Sequence, residues 1–150
     1  MSGRIYDRET IEPLARSLFE LGEPFQLTVT GGSMLPFLAP QRDTVLLSPP
    51  ARRPRRGDIL LFTREDGSWI LHRVRRVKKD GLYMIGDAQT VTEGPVPESR
   101  VLATVTRARI KGRIVTPKSP RWIFYRTVWL AAIPARRLIF RLHAAIGRKK

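Results

Sequence analysis

The 150 residues contain no cysteine. A disulfide framework, thiolate metal sites and cysteine nucleophiles are therefore excluded, while the redox compartment stays open. Histidine is scarce, with only His72 and His143, so a histidine-rich metal site is excluded too. Acidic residues are missing from all of 99–150, where 14 basic residues stand alone. The first 98 residues hold 14 basic and 13 acidic side chains, so they account for only +1 of the net charge of +15. An excess confined to one end suits a polyanion, either nucleic acid or anionic lipid. Long hydrophobic runs are lacking as well. The longest uncharged stretch of the tail, between Arg126 and Arg136, has nine residues, against the roughly 20 of a spanning helix. The opening MSGRIYDRETIEP is polar and charged, so neither a signal peptide nor a membrane anchor is expected there.

What is present is enough apolar residue, 42 %, for one domain, or for a small domain with an appendage. Ile11, Leu14, Leu18 and Leu21 recur at helical spacing. Thr10 can cap that helix, Pro13 is tolerated near its start, and Gly22 closes it. Strand signals follow: Phe25, Leu27 and Val29 in alternation, then residues 44–48, 58–62, 69–74, 82–85, 101–105 and 109–115. Turn clusters such as Glu65-Asp66-Gly67 and Lys79-Asp80-Gly81 separate them. Residues 48–56, SPPARRPRR, read as an exposed loop. Short strands at close spacing without intervening helices predict a mainly β protein, a sandwich or partly open barrel. A folded domain is expected over 1–116 and a basic tail over 117–150.

In the tail, arginines punctuate an apolar sequence. On a helical projection Phe124, Val128, Ala131, Ala135, Leu138 and Leu142 share one face, with the arginines outside it. Pro134 should kink the helix. Residues 121–146 therefore read as an amphipathic helix lying on an anionic membrane surface, with Trp122 and Trp129 suited to the headgroup zone. Packing on its own domain or on a partner protein is the alternative. No nucleic-acid-binding motif accompanies the charge, so no specific nucleic acid is expected. Removing the tail before Arg121 should then spare catalysis.

Chemistry is suggested where a strand runs into Gly31-Gly32-Ser33-Met34-Leu35-Pro36. Two glycines permit a tight exposed turn, and the proline stops the strand. A serine held there can be a nucleophile, or a turn residue bonding its own backbone. Its hydroxyl needs a base, for which His72 or a desolvated lysine are the candidates. A histidine between apolar neighbours in a strand can also be merely structural.

Four segments in order carry more information than any one: SMLP at Ser33, RRGDILLF (55–62), ILHRV (70–74) and GDA (86–88). Together they resemble the signal peptidase I superfamily of serine endopeptidases, which includes the LexA-type self-cleaving repressors. The likeness covers roughly residues 25–110. It implies the matching fold, with a short N-terminal helix before it, and no metal or cofactor. The leader-peptidase branch and the repressors use a lysine as base. This chain has His72 at that position, as in archaeal, endoplasmic-reticulum and sporulation-type signal peptidases. Lys78 and Lys79 fall in a turn and are poor substitutes. The resemblance thus implies a Ser33–His72 dyad, in which Ser33 attacks the scissile carbonyl and His72 shuttles the proton.

An acid should orient His72. Asp87 matches the first acidic position of the branch, and Glu93 occupies the place of its second aspartate, one methylene longer. Asp87 is expected to shape the site and Glu93 to be the third member. The alternatives are a turn cap for Asp87 and a solvated loop residue for Glu93. Asp58 should fix its loop, and Asp43 should be a turn residue. Met34, Leu35 and Phe37 are candidate substrate contacts in an apolar groove. The family often has a serine two residues before the nucleophile to help hold the oxyanion, and here that residue is Gly31. The expected function is removal of an N-terminal signal or leader from a precursor peptide at or near a membrane, by a peripheral enzyme on its cytoplasmic face. Rival readings are an inactive relative serving as a basic membrane or nucleic-acid adaptor, and a self-processing LexA-like regulator.

Overall fold

The computed structural model describes residues 8–148. Helix α1 spans Arg8–Glu20 and ends at Gly22, whose φ of 75° is left-handed. The Thr10 side chain lies outside the described residues. Eight strands follow: β1 Phe25–Thr28, β2 Thr44–Ser48, β3 Ile59–Thr63, β4 Trp69–Lys78, β5 Gly81–Ile85, β6 Glu93–Val96, β7 Val101–Ile110 and β8 Arg113–Val115. They form one antiparallel sheet in the order β1-β2-β7-β3-β4-β5-β6, with β8 on β7. The sheet is not closed, because β1 and β6 each pair on one side only. The fold is thus mainly β, as expected from the sequence.

Three elements differ from the sequence reading. β6 contains Gly94 and Pro95, which argue against a strand, and survives because it is an edge. Residues 101–110 make one strand rather than two, with Thr106, Arg107 and Arg109 on its exposed side. Its turn into β8 uses Lys111 and Gly112, both at positive φ, which suits the twist of a two-residue hairpin.

β3 lies near the middle of the sheet, and its side chains alternate between two clusters. Ile59 and Leu61 join Val29, Met34, Phe37, Leu47 and Trp122. Leu60 and Phe62 join Val74, Leu82 and Met84. Apolar side chains on both faces explain why β3 reads as a continuous apolar run.

The tail is not a single kinked helix. It comprises α2 (Pro120–Phe124), a π-helical turn (Tyr125–Trp129) and α3 (Ile133–Gly147). The break falls at Ala132, and Pro134 sits in the first turn of α3, where its missing N–H costs nothing. Trp122, Trp129, Leu130, Ile133 and Arg136 are buried. The two tryptophans expected at headgroup level are therefore interior. Trp122 meets Phe37 edge-on at 5.4 Å, and the Trp129 indole donates to the Asp87 carbonyl at 2.8 Å. The stripe of Phe124, Val128, Ala131, Ala135, Leu138 and Leu142 is exposed. Among the described residues no helix is long and apolar enough to cross a membrane.

Candidate active site

Ser33 owes its place to the anchoring of the chain on either side. Val29 N–H donates to the Asp43 carbonyl, and Gln41 N–H donates to Val29. Asp43 is fully buried, its carboxylate accepting the N–H groups of Ala39 and Lys111. It therefore locks the loop rather than merely turning it. Gly31 lies at φ 71°, a backbone state that only glycine adopts without strain. Met34 and Phe37 then plunge into the core, leaving Ser33 half-buried between anchored residues. The Ser33 carbonyl accepts Ala88 N–H at 2.9 Å. A Cβ on Gly86 would lie 2.4 Å from that carbonyl oxygen, so a glycine is required for loop 86–89 to lie against the turn.

His72 stands on β4 opposite Leu60 and is 2 % exposed. Its ring meets Phe62 edge-on at 6.1 Å. Among the described residues Nδ1 has no hydrogen-bond partner. Burial pushes the imidazole down to about 4; the Glu93 charge opposes the shift and Arg64 adds to it. At neutral pH the ring is uncharged and free to accept a proton.

Ser33 and His72 line the same cavity of about 690 Å³. No hydrogen bond joins their side chains among the described residues. Residues 27–31 and 68–72 also line the cavity, together with Met34, Leu61 and, from α1, Ile11. Of the three candidate substrate contacts, Met34 is brought to the cavity. Leu35 is part-exposed and Phe37 fully buried, and neither lines it. Phe37 instead packs on Tyr125 and under the Arg73 guanidinium.

Neither acidic candidate bonds to His72. Asp87 is fully buried, and both its oxygens accept from Arg73, Nε and Nη2, at 2.9 Å. Arg73 also donates through Nη1 to the Gly57 carbonyl. As neighbours in a strand, His72 and Arg73 point to opposite faces, so Asp87 ties the GD segment to the RGD turn rather than to the imidazole. Glu93 is held by Arg64 in a fork, with its closest contact at 2.7 Å. That pairing lowers the Glu93 carboxyl below its usual range against a smaller opposing effect of burial. Glu93 thus reaches His72 through its field, not through a bond. Asp58 accepts Arg55 N–H and the Arg52 guanidinium, holding its loop.

Sequence reasoning assigned no role to Arg73, Arg64 or Arg136. Arg73 was visible as the charged residue of an otherwise buried HRV strand. Arg64 and Arg136 lay within ordinary charge patterns and carried no local signal.

The buried histidine makes stability pH-dependent. Its folded pKa of about 4 lies below the unfolded value of 6.5, so between those values the unfolded chain binds more protons. The histidine's effect is therefore neutral above about pH 6.5, and stability falls as pH drops towards 4, by roughly 3 kcal/mol in all. Glu93, whose pKa is also lowered, loses its contribution as pH falls through its folded pKa, in the same direction. Urea titrations between pH 7 and 4 should show this decline, and His72→Leu should flatten the part above pH 4.5.

A family model described as Peptidase S24-like matches residues 3–115. No curated protein and no solved structure matches.

Proposed function

The chain belongs to the Peptidase S24-like family, and we propose that it is a serine endopeptidase of the Ser–His kind. It removes an N-terminal signal or leader segment from a precursor at a membrane surface. The observation that carries this reading is the shared cavity: Ser33 and an uncharged His72 line it between two unpaired strand edges. Among the described residues the outer edge of β1 has no strand partner, and β5 pairs with β4 only from Arg73 onward. An extended peptide can add backbone hydrogen bonds to both edges and present its carbonyl to the Ser33 hydroxyl. His72 takes the hydroxyl proton as the oxygen attacks and returns it to the leaving amine. Water, activated by the same ring, then hydrolyses the acyl-enzyme. With Gly31 in place of a hydroxyl residue, oxyanion stabilisation falls to backbone N–H donors, including that of Ser33. A fluorophosphonate probe should label Ser33, as located by peptide mass spectrometry, and failure to label would remove the enzymatic reading.

One observation favours the rival, an inactive adaptor: the unpartnered Nδ1 of His72, which no carboxylate orients. The same probe separates the two.

The membrane part of the proposal is supported by the outward face of the tail. Val128, Leu138, Leu142 and Ile146 are 56–66 % exposed, Arg137 and Arg141 flank them, and no acidic residue lies between 99 and 150. Each arginine near an anionic bilayer contributes about 1 kcal/mol, screened by salt. The protein should float with anionic vesicles at low salt and less at high salt. Leu138→Asp should weaken binding at least about tenfold, since burying one leucine is worth roughly 1.5 kcal/mol or more. Equal binding to neutral vesicles, or none at all, would refute this surface.

A further inference from the structure

We infer that Arg136 is a positioning residue for Ser33, so that the tail is part of the catalytic centre rather than an appendage to it. The inference rests on the serine-peptidase reading and concerns residues beyond the 3–115 that match the family model.

The contacts run from the tail to the nucleophile without a gap. Arg136 is fully buried. Its Nη1 donates to the carbonyls of Gly86 at 3.2 Å and Gln89 at 3.0 Å, and its Nη2 donates to Trp129 at 2.9 Å. The guanidinium lies over the Trp129 ring, 5.0 Å from its centre. Trp129 in turn donates to the Asp87 carbonyl. Three of the four carbonyls of loop 86–89 are thus held by the tail. The remaining residue of that loop, Ala88, gives its N–H to the Ser33 carbonyl. The loop's other support is internal, Gly86 N–H to Gln89 Oε1 and Gln89 N–H to the Gly86 carbonyl, or comes from the buried Asp87–Arg73 pair, which holds a side chain and leaves the loop carbonyls to the tail.

The tail also touches the other segments around the site. The Arg126 stem packs where a Cβ on Gly57 would sit, 2.2 Å from it, and Trp122 and Tyr125 cover Phe37. A buried guanidinium is an expensive way to fill space, and an apolar side chain would serve packing alone. Its use here is directional: Nη1 alone holds two carbonyls of one loop while Nη2 holds a carbonyl of the tail, so the planar group ties the two together. A small shift of the Ser33 backbone would misalign the hydroxyl and any oxyanion donor at that turn. The expectation that the tail can be removed without loss of catalysis is therefore replaced by its opposite.

The test uses the full chain with Arg136→Met, Arg136→Lys and Trp129→Phe. Two quantities are read: the rate of Ser33 labelling by a fluorophosphonate, and exchange of the Ala88 amide by NMR. Arg136→Met should slow labelling on the order of 10²-fold and speed Ala88 exchange, while amides of β2 and β7 keep their protection. Arg136→Lys, retaining a donor, should recover part of both. A folded Arg136→Met that labels and exchanges like the parent would overturn the inference. Should Arg136→Met lose protection everywhere, Trp129→Phe decides, because it removes the tail's hydrogen bond to the Asp87 carbonyl while keeping an aromatic ring under the Arg136 guanidinium. Slower labelling with faster Ala88 exchange supports the brace, and no change in either overturns it. If the parent protein itself does not label, the peptidase reading fails. Ala88 exchange in the variants then still supports or overturns the brace.

Discussion

Replacing Ser33 by alanine is expected to abolish peptide cleavage and probe labelling while leaving the melting temperature within about a degree. The two halves of that result have separate causes. The Ser33 side chain is half-buried and makes no hydrogen bond among the described residues, so its oxygen contributes little to the fold. Stability at this turn comes from Met34, Phe37 and the Asp43 lock, none of which the substitution touches. Thr28, Thr30 and Ser68 also line the cavity, but none stands at the Gly31-Gly32-Ser33 turn, so their hydroxyls are not expected to replace that of Ser33. Loss of a serine nucleophile costs on the order of 10⁶-fold in kcat in a well-formed site. His72→Ala should lower activity comparably, with the acid limb of the parent's pH profile near 4 rather than 6.5, following the burial of the ring. Cleavage surviving in Ser33→Ala would sink the proposed mechanism outright, whereas a large fall in melting temperature would make Ser33 a structural turn residue.

The largest effect on stability is expected at Asp87. Among the described residues its carboxylate is the one charged partner of Arg73, and both side chains are fully buried. Asp87→Asn keeps the shape but strands a guanidinium in the interior. Breaking a buried pair in this way costs about 3–5 kcal/mol, or a fall of about 10 °C at roughly 2–4 °C per kcal/mol for a chain of this size. Because Arg73 also holds Gly57, the loosened loop should take activity with it. Glu93→Gln offers the contrast. Glu93 is one-third exposed and paired with an exposed Arg64, and surface pairs are worth at most about 1 kcal/mol. That variant should melt like the parent and shift the acid limb lower, through loss of a charge that favours the imidazolium. Thermal melts of the two variants, with the pair Arg73→Met/Asp87→Leu as a partial rescue, test the assignment. Equal melting of Asp87→Asn and the parent would show that the buried pair does not hold the GD loop.

Much of this arrangement was legible in the order of residues, for local reasons. Local strand signals marked β1 to β5 and the residues of β7 and β8, though not the boundary between those two, and β6 escaped because Gly94 and Pro95 carry the signature of a turn. A serine after two glycines and a histidine in a strand each have a structural reading, so Ser33 and His72 were singled out by the resemblance of the four segments taken together, and both line one cavity. The helical period of the tail identified Phe124, Val128, Leu138 and Leu142 as one face, and in the structure that face points outward. Periodicity finds a stripe but not what lies against it. The opposite face, with Trp122, Trp129 and Arg136, found a better partner in the β domain, whose loop carbonyls and Phe37 match it in polarity and shape.

The sequence by itself therefore determined most of the strands, the charge asymmetry and which serine and histidine are the candidates for nucleophile and base. Each follows from spacing, composition or residue type along the chain. The tertiary structure alone decided which carboxylate meets which base. Asp87 and Glu93 are both near His72 in the chain's order, yet each is claimed by an arginine, Arg73 and Arg64. Alternation in β4 sends Arg73 to the face opposite His72. A buried carboxylate must take the partner that satisfies both its oxygens, and in a folded chain that partner is set by sheet register and not by distance along the sequence.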